Sequence, residues 1–211
     1  AEAIAGLRTP TSGTIMIDGQ NTTWCKPGQV RKAGLSYVPE ERMRDGAIGE
    51  FKIKENLVLL NHNSEQFCKN GFLRFKQIQR HCEKLVREYA VKTPDIETTT
   101  KSLSGGNIQK LILARELSSN PKVLIASQPT RGVDIGAAEY IHERISQQRL
   151  SGTASLVISE DLDEVMALSD RIAVMFDGKI MGIVNREEAS RESIGLMMTG
   201  EKQADAMGDK A

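Results

Sequence analysis

The sequence predicts an α/β protein with a mostly parallel sheet and an inserted α-helical subdomain, and three observations carry that expectation. Lys122–Ala126, Ser155–Ile158 and Ile172–Phe176 are short continuous apolar runs, as expected of parallel strands buried on both faces. Between the first two, Ile135, Ala138, Ile141 and Ile145 mark a helix face, so strand and helix alternate. Further upstream the pattern from Lys52 to Tyr89 is helical, with Ile78, Cys82, Leu85, Val86 and Tyr89 on one face of an amphipathic helix.

Taken in order, Ala1–Leu7 reads as the last turns of a helix stopped by Gly6, ahead of Thr9-Pro10. Thr14–Asp18 alternates and ends in Asp18-Gly19, a short strand and turn. Leu35–Val38 is an apolar run that ends in Pro39-Glu40-Glu41-Arg42, and Lys54-Glu55-Asn56-Leu57 opens a helix. The Gly71–Phe75 loop offers exposed aromatics, for a partner contact or for the cap of the subdomain core. Val91–Thr100 is a polar connector. Gly178–Val184 reads as a strand near the sheet edge, Arg191–Met198 as a final short helix, and Glu201–Ala211 as a frayed tail. The expected segments are therefore 1–44, 45–100, 101–200 and 201–211.

At 211 residues with 39% apolar side chains, the chain can bury a substantial core. Lys+Arg and Asp+Glu both number 28, so no global charge draws it to nucleic acid or an acidic membrane surface. Cys25, Cys68 and Cys82 lack C-x-x-C spacing and form no ligand pattern with His62, His81 and His142; they read as reduced thiols, with no metal site. There is no signal peptide and no apolar run near the ~20 residues of a membrane span, so any membrane role is expected to be peripheral.

The chain is organised around Leu103-Ser104-Gly105-Gly106-Asn107-Ile108-Gln109-Lys110, a two-glycine turn leading into the apolar segment Ile108–Leu117. Glycines let a ligand approach the backbone closely, Ser104 suits an N-cap, and the first amides of the following helix carry positive partial charge. Phosphate is the guest such a turn suits. A purely structural helix cap would use the same residues.

The spelling LSGGN resembles the LSGGQ signature of ATP-binding-cassette (ABC) ATPases, with Asn107 at the last position. Downstream, Val123–Thr130, Arg131-Gly132-Val133-Asp134 and Ile158-Ser159-Glu160-Asp161 follow in the order of that family's Walker B, D-loop and switch motifs. Pro39-Glu40-Glu41-Arg42 lies where its Q-loop begins, with Glu40 in place of the usual Gln. The resemblance implies a P-loop NTPase-like fold and dependence on ATP and Mg²⁺. It also implies that residues 45–100 contact membrane subunits.

Set against that family, the chain is degenerate. It has no G-x-x-x-x-G-K-S/T segment, so the resemblance implies that the N-terminal strands and P-loop are absent. Ser127 stands at the position of the Mg²⁺-associated Asp, and Gln128 at that of the catalytic Glu, where an amide cannot act as general base. Glu160 replaces the switch His; at ~4 Å from a phosphate charge in an effective dielectric of ~20, its carboxylate would cost ~4 kcal/mol. Glu160 and Asp161 also suit the N-terminus of a helix beginning near Leu162. No intact catalytic or metal-binding set is expected, whereas Asp134 of the D-loop and Ser104–Asn107 are kept.

S-L-S-G-G-N-I-Q-K, Q-P-T-R-G-V-D-I-G-A and S-D-R-I-A-V-M-F-D-G-K-I resemble the C-terminal cassette of tandem ATPases serving simple-sugar and nucleoside importers, and the resemblance of Ala126-Ser127-Gln128 and Ile158-Ser159-Glu160 points to the nucleoside branch. In that family two cassettes pair head to tail, so Ser104, Gly105, Gly106 and Asn107 would complete an ATP site on a first cassette or dimer mate. The other implied partners are transmembrane permeases and, indirectly, a substrate-binding lipoprotein, with the protein cytoplasmic and peripheral on the inner membrane face. The chain alone is expected to be inactive, although the family hydrolyses ATP. Lack of a P-loop strand is expected to leave Lys122–Ala126 with unpaired backbone or a substitute neighbour, through disorder, rearrangement or intermolecular pairing. The alternatives are a soluble ABC-fold ATPase of translation or DNA repair, and a structural module without ATP.

Overall fold

The computed structural model describes residues 1–201, so the expected tail lies, beyond Glu201, outside the described residues. Two compact units are present, Ala1–Ile158 and the segment from Ser159 onward.

In the first unit, the opening turn closes as expected. Gly6 has φ +73, and its N–H bonds Ala3 O while Leu7 N–H reaches back to Glu2 O, the bond pair of a Schellman cap. β1 (Met16–Ile17) and β2 (Gln20–Asn21) form a hairpin whose Asp18-Gly19 turn has positive φ at both residues. After α1 (Pro27–Lys32) comes β3 (Leu35–Val38), then a π-helical turn at Arg42–Gly46 and α2 (Ile53–Val58).

The inserted stretch also holds a hairpin, β4 (Cys68–Lys69) and β5 (Phe72–Leu73), around an Asn70-Gly71 turn. Phe72 and Phe75 are exposed, as expected of that loop. α3 (Phe75–Glu88) buries Ile78, Cys82 and Leu85, and Tyr89 follows them into the core. Burial pushes the Cys82 thiol up to about 12, and all three cysteines are free.

α4 (Gly105–Leu117) is the central helix and is buried on nearly all sides from Ile108 on. β6 (Val123–Ser127), α5 (Ile135–Leu150) and β7 (Ala154–Ile158) complete the unit. The parallel sheet has the order β3-β6-β7. Ala5, Ile17, Val30, Ala33, Leu35 and Ile125 form a core on it.

Two expectations are corrected here. β6 is neither unpaired nor rearranged: it is the central strand of an intact sheet, in register with β3 from Leu35↔Val123 and with β7 from Val123↔Ala154. The crossover through α5 lays β7 beside β6, so β3 and β7 are the edge strands, and on β7 Leu156 is 41% exposed. On α5, Ile141 and Ile145 are buried as expected, but Ala137 is the third inward residue and Ile135 is 81% exposed.

In the second unit, α6 (Leu162–Leu168) precedes β8 (Arg171–Phe176), β9 (Lys179–Asn185) and α7 (Arg191–Met198). β8 is not a buried parallel strand. It pairs antiparallel with β9 around an Asp177-Gly178 turn, buries Ile172 and Val174, and exposes Ala173 and Met175. Ile194 and Met197 of α7 pack in the same core. Among the described residues no helix is long and apolar enough to cross a membrane.

Candidate functional site

The turn before α4 is shaped by glycine. A Cβ on Gly106 would sit 2.9 Å from Ala137 Cβ and 3.1 Å from Asp134 Oδ2, so only glycine lets α4 approach the start of α5 this closely. Asp134 is held there because it caps α5, its Oδ1 accepting from Ala137 N–H at 2.9 Å. Asp134 and the two-glycine turn are thus brought together.

Ser104 occupies the N-cap position of α4, but its side chain does not cap. Its Oγ instead accepts from Asn107 Nδ2 at 2.8 Å, and Asn107 Oδ1 accepts from Lys92 N–H at 2.8 Å. Two consequences follow. The first amides of the helix receive no side-chain acceptor, and the Ser104 hydroxyl, already used as an acceptor, has its proton to donate outward. Ser104 and Gly105 are exposed, so an anion can reach them.

The segment after β3 closes the site from a second side. Arg42 Nη1 donates to Gly105 O at 3.2 Å and Nη2 to Gly132 O at 3.4 Å. Glu40, at the Q-loop position, forms an ion pair with Arg131. Arg44 is taken up by its neighbour Asp45, and it holds that carboxyl below the usual carboxylate range. From sequence Arg42 is only the end of the Pro39-Glu40-Glu41-Arg42 run, and Arg131 has no role. Gly105 and Gly132 both face the Arg42 guanidinium, and no local signal marks Arg131.

Ser127 and Gln128 stand at the C-terminal end of β6, where Gln128 has φ +48 and its N–H bonds Ile158 O at 2.7 Å. Neither side chain carries charge. Among the described residues no group of three or more His, Cys, Asp or Glu is gathered as a metal ion requires. Glu160 belongs to the second unit, next to Asp161, whose Oδ1 accepts from Asp163 and Glu164 N–H and caps α6.

At the other end of α4, Glu116 is fully buried, and its carboxylate accepts from Arg31 Nη1 at 2.7 Å, Arg115 Nη2 at 2.9 Å and Tyr37 N–H at 3.3 Å. Arg115 also donates to Gly46 O at 2.7 Å, and Ser36 Oγ to Glu116 O at 2.7 Å. These bonds lock α4 to β3, α1 and the end of the π-turn, which fixes the helix whose other end forms the site.

Residues 1–131 match the family model described as ABC transporter. The guanosine import ATP-binding protein NupO of Bacillus subtilis is 40% identical over 97% of this chain and 40% of its own length. The nucleoside import ATP-binding protein NupA of Lactococcus lactis subsp. cremoris is 43% identical over 94% of this chain and 39% of its own length. The glucose import ATP-binding protein TsgD13 of Haloferax volcanii is 44% identical over 98% and 38%. The chain thus spans about two fifths of the length of these curated relatives. Among solved structures, the ATP-binding cassette MJ0796 bound to ADP and Pi superimposes with a TM-score of 0.71 at 20% identity, over 88% of this chain and 78% of that one. A nucleotide-free ATP-binding cassette gives 0.70 at 22% identity, over 94% and 78%. These likenesses show the fold, that of an ABC ATPase cassette.

Proposed function

The chain belongs to the ABC transporter family, and from that premise we propose that it is part of the ATP-binding subunit of an importer for nucleosides or simple sugars, acting as a degenerate second cassette. In this reading Ser104, Gly105, Gly106 and Asn107 face ATP held by a first cassette or a dimer mate, with Asp134 beside them. The observation that carries it is the turn itself: exposed, uncapped by a side chain, and fixed from behind by Asn107, Arg42 and Asp134.

ATP, when bound, supplies the phosphoryl group whose transfer to water drives transport. The residues present fit a phosphate at Ser104–Asn107: the hydroxyl proton of Ser104 and the amides of the first turn are donors that need no rearrangement to meet negative charge. They do not fit Mg²⁺ within this chain, since Ser127 and Gln128 are neutral. Gln128 cannot take a proton from water either. Hydrolysis in the assembly therefore depends on carboxylates outside this chain. The importer names of the relatives support a nucleoside or sugar substrate, permease subunits as partners with a binding lipoprotein beyond them, and a place at the cytoplasmic face of the membrane. Residues 45–100, with Phe72 and Phe75 exposed, are the surface assigned to the permeases.

The test is Ser104→Ala in the complete ATP-binding subunit. Loss of a donor aimed at transferring phosphate lowers ATPase turnover on the order of a hundredfold. Unchanged transport-coupled ATPase activity would show that the turn is a structural helix start with no ATP role. The 211-residue chain alone is expected to show no Mg²⁺-dependent turnover.

A further inference from the structure

We propose that Arg42 is a positioning residue that straps the signature turn to the D-loop and couples both to the segment carrying Glu40. The claim about its effect on nucleotide rests on the reading of Ser104–Asn107 as a phosphate-facing turn.

Three observations carry it. A guanidinium is a rigid, planar fork of donors, and that of Arg42 sends its two terminal nitrogens to two different loops, to Gly105 O at 3.2 Å and Gly132 O at 3.4 Å. Both acceptors are glycines whose missing Cβ makes the space: a Cβ on Gly105 would lie 3.1 Å from Nη1, and one on Gly132 3.1 Å from Nη2. A second strap runs beside the first, since Glu40 pairs with Arg131. The segments 40–42, 104–107 and 131–134 are thereby one mechanical group.

The charge gives the strap a direction. The N-terminus of α4 is already electropositive, and Arg42 adds a cation next to it, an arrangement that an anion at the turn stabilises. Anion binding and the Arg42 contacts therefore support each other, and the coupling is reciprocal: whatever loosens Arg42 weakens the anion, and the anion tightens Arg42. In this way movement of the segment around Glu40 is transmitted to the amides of Gly105 and Gly106 without any contact between Glu40 and nucleotide.

Hydrogen exchange on this chain, compared for wild type, Arg42→Ala and Arg42→Lys, tests the strap. Loss of two bonds from a charged donor is expected to speed exchange about tenfold at the hydrogen-bonded amides of Ile108, Val133 and Ala137, with Lys restoring only part of it because it has no fork. Unchanged exchange at β6 reports an intact fold. Equal exchange at both loops in Arg42→Ala and wild type overturns the proposal. In the complete subunit, fluorescent-nucleotide titration should then show about tenfold weaker ATP binding for Arg42→Ala. If Ser104→Ala leaves that affinity unchanged while Arg42→Ala still speeds exchange, the phosphate-facing reading fails and the strap stands.

Discussion

At its C-terminal end α4 buries Glu116 with 1% of its surface exposed, ringed by Arg31, Arg115 and the Tyr37 amide, whereas at its N-terminal end Ser104 and Gly105 are exposed and the hydroxyl leaves the helix amides uncapped. One end satisfies every charge it contains; the other holds donors in reserve. A helix that presents donors to a ligand must resist being pulled, and the resistance comes from the far end.

Breaking the locked end should have the largest effect. Glu116→Ala leaves Arg115, nearly buried, and Arg31 without their shared carboxylate and is expected to cost about 3–5 kcal/mol in urea unfolding. Glu116→Gln, which keeps two acceptor sites on one oxygen, should cost less. Next is Gly106→Ala at the packed side of the open end. Its Cβ meets Ala137 Cβ at 2.9 Å, so a loss of about 1–2 kcal/mol is expected, after the roughly 1 kcal/mol that alanine returns as a helix former. Asn107→Ala removes the bonds to Ser104 and Lys92 and should cost about 1 kcal/mol, with faster exchange of the Lys92 amide. Ser104→Ala sharpens the comparison most: stability should change by less than about 0.5 kcal/mol, below an ordinary N-cap loss, because no cap bond exists to lose. A drop of a full cap's size would mean that the two ends are not so different.

Much of this architecture was legible. Leu35–Val38 and the runs at β6 and β7 are uncharged and short, and each became a strand of the parallel sheet. Arg191–Met198 became α7 at the expected bounds. The misreadings have physical causes. A continuous apolar run does not reveal strand direction, and in β8 the Asp177-Gly178 hairpin signal should have outweighed it. Asn70-Gly71 announced the β4–β5 hairpin in the same way. Ile135 fell on the expected apolar stripe of α5, yet it lies at the first helical turn, beyond the reach of the core. At the site, the glycines and Asp134 could be read because local backbone chemistry demands them. Arg42 and Glu116 could not, because what defines them is distance along the chain: their partners lie 63 and 85 residues away.

The open side of β7 has a practical consequence. Ala154-Ser155-Leu156-Val157-Ile158 has no charge, proline or glycine, the devices that ordinarily keep an edge from being extended. Such an edge is a socket with a defined register. A short uncharged peptide rich in valine and isoleucine, added in trans, should lodge there as a fourth strand, which would make the chain one half of a two-piece reporter whose signal appears only when that peptide is supplied.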